Sequence, residues 1–174
     1  AGAHDVIGDR ALGQEPMRVA ALGRAVLDGL ADGGVVGIVK HMPGHGRALC
    51  DSHKEIPTVP ACDADLEQDL APFIALKDAP MAMTGHIVFP AWDAARPATI
   101  SPVVIERIIR GRIGFDGLLM TDDIDMQALS GTVPTPRSTL NTATAADSCR
   151  ACSWSDSAAA ALSSTSAAFC CVTW

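Results

Sequence analysis

Tyrosine is absent from this sequence of 174 residues, and aromatic residues make up only 4% of it. No apolar run approaches the roughly 18 residues that a membrane-spanning helix needs, and no basic segment followed by an apolar run marks a secretory leader. Basic residues are also few, since 13 Lys and Arg stand against 20 Asp and Glu and give a net charge of −7. Because nucleic acids and anionic membranes are bound through clustered Lys and Arg, this balance argues against both partners.

Cysteine is unevenly distributed, which argues against a disulfide framework. Six cysteines are present, and four of them fall in the last 26 positions. Residues 1–131 hold only Cys50 and Cys62 and have enough apolar residues to form a core without disulfides. We therefore expect a reducing compartment. Cys149 and Cys152 have the CxxC spacing, but no second pair completes a zinc site, so no metal role is predicted for them.

Residues 1–131 have the pattern of an α/β domain. Apolar residues at helical spacing alternate with short runs rich in β-branched residues, and this alternation predicts a parallel sheet with crossover helices. The predicted helices cover residues 16–30, 63–77 and 103–112, and the predicted strands cover residues 35–39, 81–89 and 117–121.

Polar residues cluster where each predicted strand ends. Lys40 and His41 follow the first strand, and His86 lies late in the second. Asp122 and Asp123 follow the third strand. Because ligands sit at the carboxyl ends of parallel strands, this edge of the sheet is the predicted site.

The segment KHMPGHGRALCDSH follows the first predicted strand and combines three His with a Lys and an Asp. Three interpretations are open. In the first, a zinc ion is bound by His41, His45, His53 and either Cys50 or Asp51. In the second, the segment is a structural loop whose His side chains bond to backbone groups. In the third, Asp51 fixes the tautomer of His53 and raises its basicity, which makes a general acid/base.

The segment GLLMTDDIDM places three acids directly after the third predicted strand. A carboxylate in this position suits a nucleophile in a barrel enzyme, and Asp122 is the candidate. Acids in the first turn of a helix are the alternative, because the helix macrodipole favours them there. The spacing alone leaves both interpretations open.

Four segments, in order IGDRALG, KHMPGHGRALCDSH, PAWDAARPATIS and RIIRGRIGFDGLLMTDDIDMQALSG, resemble bacterial NagZ-type β-N-acetylhexosaminidases of glycoside hydrolase family 3. The resemblance covers about residues 5–133. It implies an α/β fold that is a fragment of a TIM-like (β/α)8 barrel, with about three βα units. A complete barrel usually needs about 250 residues.

The resemblance also implies roles for individual residues. Asp122 would be the nucleophile of a retaining reaction, His53 the acid/base and Asp51 its dyad partner. The sugar would be contacted by Arg10, Lys40 and His41. The implied substrate is a muropeptide or chitooligosaccharide-like chain with terminal N-acetylglucosamine. No metal or organic cofactor is implied, and the implied protein is a cytoplasmic monomer of cell-wall recycling.

The composition changes abruptly after Gly131. Residues 132–174 contain no Gly, Lys or Glu, and 25 of these 43 residues are Ala, Ser or Thr. We interpret residues 1–134 as part of a family 3 catalytic barrel and residues 135–174 as a low-complexity tail, frameshifted or disordered. The family's barrel begins before residue 1, so we expect unpaired strand edges and weak or no turnover from this chain alone. A zinc-binding protein and a related glycoside phosphorylase or β-glucosidase are the alternative functions.

Overall fold

The computed structural model describes residues 11–50, 55–123 and 169–173. Three helices alternate with three strands, as the sequence pattern predicted, and a fourth strand lies near the end of the chain. The helices are α1 (Pro16–Asp32), α2 (Asp63–Ala75) and a π-helix (Val104–Ile113), with a short 3₁₀ turn at Ala98–Ile100. The strands are β1 (Val36–Met42), β2 (Met81–Thr84), β3 (Leu118–Met120) and β4 (Phe169–Thr173).

The four strands form one parallel sheet in the order β3-β2-β1-β4. Ile38 of β1 pairs with Met81 of β2, which pairs with Leu118 of β3. This register brings the carboxyl ends of the three strands to one edge of the sheet. β4 pairs with β1 on the side opposite β2, and it falls within the segment that the sequence predicted as a tail. The division of the chain at residue 134 stays a prediction.

Local sequence explains where the helices begin and end. The Glu15 carboxylate accepts hydrogen bonds from the first N–H groups of α1, at 3.0 Å from Met17 N and 2.6 Å from Arg18 N. Gly34 follows the helix with a φ of +75°, which a residue with a Cβ rarely adopts. The Ser101 hydroxyl oxygen accepts a bond from Val104 N at 3.2 Å, as expected of a capping serine.

The second strand is shorter than the sequence predicted. The predicted strand continues to Phe89, but β2 ends at Thr84. Gly85 N–H bonds to Met42 O at 3.1 Å, and the His86 side chain then turns into the interior. β2 therefore ends opposite Met42, the last residue of β1.

The core lies between the sheet and the helices. Val39 and Ala82 contribute from the sheet, and Leu70, Phe73 and Ile109 contribute from the helices. All five side chains are almost completely buried, so the helices are held to the sheet by apolar packing. Among the described residues, no helix is long and apolar enough to cross a bilayer.

The turn that leads into β3 is fixed by an arginine. The Arg110 guanidinium donates to Phe115 O at 2.8 Å and to Gly117 O at 2.9 Å, and it lies over the Phe115 ring. Charge-assisted bonds to carbonyls are stronger than neutral ones. They set the start of the short strand that leads to Asp122.

Candidate active site

Residues of the predicted site meet at the carboxyl edge of the sheet. Lys40 and His41 lie near the carboxyl end of β1. This strand ends at Met42, three residues beyond the end that the apolar run predicted. Lys40 is in register with Met83, and Met83 with Met120. Asp122 follows two residues after Met120, so the sheet brings it beside His41.

Each oxygen of the Asp122 carboxylate has its own hydrogen-bond donor. His41 Nε2 lies 3.4 Å from Oδ2, and the backbone N–H of Asp123 bonds to Oδ1 at 2.9 Å. A carboxylate accepts only, so Nε2 carries the proton in this contact. Among the described groups, His41 Nδ1 is buried and has no hydrogen-bond partner. The Asp122 side chain keeps 21% of its surface exposed, so a ligand can reach it.

The surroundings of Asp122 favour its charged form. Partial burial alone would raise the pKa of this carboxyl, because a charge is poorly solvated there. The bond from His41 and the bond from Asp123 N–H outweigh burial and hold the pKa well below its usual range. Asp122 is therefore a carboxylate at neutral pH, as a nucleophile must be.

His41→Ala is expected to raise the pKa of Asp122, because it removes the side-chain donor to Oδ2. A titration followed by carboxyl ¹³C NMR measures this pKa directly. Asp93 and Asp63 are internal controls, since the Ser101 hydroxyl and the Arg112 guanidinium lower their pKa values without help from His41. The depressed pKa of Asp122 stabilises the fold above the ordinary Asp range, and this contribution is lost as pH falls toward the folded-state value. An unchanged Asp122 pKa in the variant would contradict the assigned cause.

Half of the predicted site residues lie outside the described part of the chain. Lys40, His41 and Asp122 are brought to one edge, whereas Arg10, Asp51 and His53 are not among the described residues. The roles implied for these last three stay predictions. The structure adds one residue that the sequence placed at this edge without a role, the fully buried His86.

Two of the predicted zinc ligands of the loop, His41 and His45, are among the described residues. The rings of His41 and His45 lie 5.5 Å apart and are buried. Within residues 11–50 and 55–123, no group of three or more His, Cys, Asp or Glu side chains is arranged to hold a metal ion. The predicted ligand set also included His53 and Asp51, so the hypothesis of a loop zinc site stays open.

A separate cavity of about 590 Å³ lies between the loop after β1 and the first half of α2. Arg47 and Asp69 form an ion pair in its wall, with Nε 2.5 Å from Oδ2, and Leu49 and Val59 add apolar surface. Lys40, His41 and Asp122 do not line it. The cavity is therefore distinct from the edge that carries the candidate nucleophile.

Comparison with known proteins gives one consistent result. The family model described as "Glycosyl hydrolase family 3 N terminal domain" matches residues 2–146. A protein named β-hexosaminidase from Chromobacterium violaceum is 44% identical over 129 residues, which are 72% of this chain and 36% of that protein. The chain thus spans about a third of the length of this curated relative.

Solved structures show the same similarity. A glycoside hydrolase family 3 β-N-acetylglucosaminidase from a Paenibacillus species superposes with a TM-score of 0.72 at 33% identity, over 98% of this chain and 29% of that one. NagZ from Neisseria gonorrhoeae in complex with N-trifluoroacetyl-D-glucosamine superposes with a TM-score of 0.68 at 35% identity, over 81% of this chain and 41% of that one. The α/β fold expected from the sequence is therefore the fold of these N-terminal domains.

Proposed function

We propose, from the premise that this chain belongs to glycosyl hydrolase family 3, that its site removes terminal β-linked N-acetylglucosamine with retention of configuration. The observation that carries the proposal is the ionised Asp122 carboxylate at the carboxyl edge of the sheet, with one donor on each oxygen. This arrangement leaves a charged and partly exposed carboxylate fixed in one orientation. Such a group suits attack on the anomeric carbon of a sugar.

The proposed reaction has two steps. An Asp122 oxygen forms a bond to the anomeric carbon while the bond to the leaving oxygen breaks, and His53 gives its proton to that oxygen. In the second step water attacks the same carbon, His53 takes a proton from the water, and the Asp122 carboxylate is released. Two inversions at one carbon give net retention.

A histidine as the acid/base departs from the usual pair of carboxylates. A neutral imidazole is a weak proton donor, so the proposal assigns Asp51 the task of stabilising the imidazolium. Pro43, Gly44 and Gly46 break regular structure in the segment between β1 and these residues, and Gly44 has a φ of +144°. The described residues between β1 and position 51 therefore form a loop.

The proposed substrates are muropeptides or chitooligosaccharide-like chains. Support comes from the NagZ structure, which holds an N-acylated glucosamine. In the proposal Lys40 and Arg10 bond to sugar hydroxyls through charge-assisted contacts, and His41 meets the sugar beside Asp122. The proposed setting is cytoplasmic cell-wall recycling by a monomer without a cofactor.

The domain proposal is that residues 1–134 form about three βα units of a TIM-like barrel, followed by a low-complexity tail. The parallel pairing of β1, β2 and β3 in chain order supports it, because consecutive strands are neighbours in such barrels. Four strands leave both outer edges of the sheet without a described partner strand. We accordingly expect the 174-residue chain alone to turn over substrate weakly or not at all.

The function is tested by binding and turnover in the same preparation. We expect saturable binding of N-trifluoroacetyl-D-glucosamine to the 174-residue chain by ¹⁹F NMR, and weaker binding by His41→Ala. Ile109→Val, a change in the core away from the site, is the matched control with unchanged binding. Release of nitrophenol from nitrophenyl N-acetyl-β-D-glucosaminide then reports turnover.

Three results would contradict the proposal. The first is no ¹⁹F binding at millimolar sugar, and the second is preference for the glucoside, which indicates a β-glucosidase. The third is a rate that requires inorganic phosphate, which indicates a phosphorylase. Stoichiometric zinc in the purified chain would support the metal-binding alternative.

A further inference from the structure

His86 is fully buried and takes no part in the reaction proposed above. Its Nε2 lies 2.9 Å from the backbone oxygen of Asp123, the residue after the candidate nucleophile. Its Nδ1 lies 2.8 Å from the Thr99 hydroxyl oxygen. A carbonyl oxygen only accepts hydrogen bonds, so Nε2 carries a proton and donates it to Asp123 O.

The Thr99 hydroxyl connects His86 to β2. Thr99 Oγ1 lies 3.1 Å from Thr84 Oγ1 and 3.1 Å from Gly85 O. Gly85 O already accepts the N–H of Ile87 at 3.0 Å. The single Thr99 hydroxyl proton has two candidate acceptors, Gly85 O and His86 Nδ1, because a carbonyl oxygen can accept two bonds. When His86 is neutral with its proton on Nε2, Nδ1 accepts the Thr99 proton, and Thr84 donates to Thr99. In that tautomer the three hydrogen bonds run in one direction, from Thr84 on β2 to the Asp123 carbonyl.

This hydrogen-bond chain has contacts on both sides of Asp122. At one end Thr84 Oγ1 lies 3.4 Å from Met120 O, the last residue of β3. At the other end His86 bonds to the oxygen of Asp123. Sheet pairing between β2 and β3 stops at Met83 and Met120, so the strand ladder does not hold the backbone that follows. Beyond Met120, the described contact that holds this backbone to the segment after β2 is the hydrogen bond from the buried His86 side chain to Asp123 O.

We propose that His86, supported by Thr99, is a positioning residue that fixes the backbone at Asp123 and thereby aims the Asp122 carboxylate. The inference rests on the proposed role of Asp122 as nucleophile. With Asp123 fixed, its N–H stays on Oδ1 and leaves Oδ2 beside His41 Nε2. Loss of this support lets the carboxylate rotate away from the line of attack, and a misplacement of about 1 Å costs about 100-fold in rate.

The first test uses the whole 174-residue chain and does not depend on activity. Thr99→Val keeps the shape of the side chain and removes the hydroxyl bonded to Nδ1. Imidazole ¹⁵N NMR is expected to show His86 as the Nε2–H tautomer in the parent chain. Amide hydrogen exchange at Asp123 is expected to be about tenfold faster in Thr99→Val and His86→Ala, and unchanged in Ile109→Val. An Nδ1–H tautomer, or equal exchange at Asp123 in all variants, overturns the proposal.

The second test separates positioning from binding. A 5-fluoro N-acetylglucosaminyl fluoride traps a glycosyl-enzyme, and intact-mass spectrometry gives its rate of formation at Asp122. The test uses a chimera with a complete barrel, in which the 129 residues of this chain that match the Chromobacterium violaceum β-hexosaminidase replace that segment of it. Thr99→Val is expected to slow labelling by about 10- to 100-fold while the ¹⁹F-detected affinity for N-trifluoroacetyl-D-glucosamine stays the same. His86→Gln, which can still donate to Asp123 O, is expected to label faster than His86→Ala.

The outcomes distinguish this inference from the proposed function. If the parent chimera is not labelled, the role of Asp122 fails, and the tautomer and exchange data still decide whether His86 fixes Asp123. If the parent is labelled, and Thr99→Val and His86→Ala are labelled as fast as the parent, the positioning role of His86 is wrong. Equal losses of affinity and labelling rate indicate a general structural defect and also overturn it.

Discussion

Asp122→Asn is expected to lower glycosyl transfer by roughly four to six orders of magnitude, the scale reached when other enzymes lose a catalytic nucleophile. The amide has nearly the same shape and still accepts from Asp123 N–H, but it has no negative charge with which to attack the anomeric carbon. The loss is therefore chemical and leaves the fold in place. Affinity for N-trifluoroacetyl-D-glucosamine is expected to change little.

The measurement needs a background with a complete barrel. The 129 residues of this chain that are 44% identical to the Chromobacterium violaceum β-hexosaminidase can replace the matching segment of that protein. Asp116→Asn in the same chimera is the matched control, because Asp116 is an exposed acid that precedes β3. We expect that variant to stay within about tenfold of the parent, since surface changes away from reacting groups have small effects.

Rescue distinguishes a nucleophile from a carboxylate that only stabilises charge. Asp122→Gly opens space beside the anomeric carbon, and azide is expected to restore cleavage and to give a glycosyl azide of inverted configuration. More than about 1% residual activity in Asp122→Asn, against the loss expected for a nucleophile, would contradict the assignment. A rescued product of retained configuration would contradict it as well.

The secondary structure was predictable where local signals are strong. Pro16 marks the start of α1, and Gly33 with Gly34 marks its end, as the structure confirms. Strand ends were less predictable, because they depend on partners far away in the sequence. β1 continues past its apolar run to Met42, since pairing with Thr84 of β2 supports the polar residues there.

The tail shows how composition hides a short strand. Residues 169–173, FCCVT, are mostly β-formers, and this run is the signal that an Ala/Ser/Thr-rich background obscured. Their pairing with Val36–Lys40 of β1 joins segments more than 130 positions apart. No local pattern identifies such a partner, so the fourth strand of the sheet was missed.

The candidate site was predictable as a location and less so as a geometry. The rule that ligands bind at strand ends placed His41 and Asp122 together, and the structure brings them to 3.4 Å. The bonds of Thr84 and Thr99 were not predictable, because no sequence pattern indicates that the 3₁₀ turn with Thr99 packs beside the end of β2. Burial and the number of donors then set the charge state of Asp122, and both depend on the folded chain.

Gly117→Ala is expected to destabilise the fold by about 3 kcal/mol, at the upper end of the usual cost of overpacking. Gly117 precedes β3, and its backbone packs against Ala79 and Pro80, the two residues before β2. A Cβ there would lie 2.6 Å from Ala79 O and 2.7 Å from Pro80 O, both rigid backbone atoms. The bond from Leu118 N to Pro80 O at 3.0 Å fixes this close approach. The strand must shift or lose that bond, and either change moves Asp122.

Urea unfolding followed by Trp fluorescence measures the loss, with Gly29→Ala as the matched control. A Cβ at Gly29 meets nothing within 4 Å, and the position is inside α1. That substitution is therefore expected to raise the free energy of unfolding by about 0.5–1 kcal/mol. The two Gly→Ala substitutions are thus expected to change the free energy of unfolding in opposite directions. This difference separates the steric clash before β3 from the general stabilising effect of replacing glycine by alanine. Equal effects at both positions would show that the backbone around Gly117 relaxes, and that Asp122 does not depend on this contact for its place.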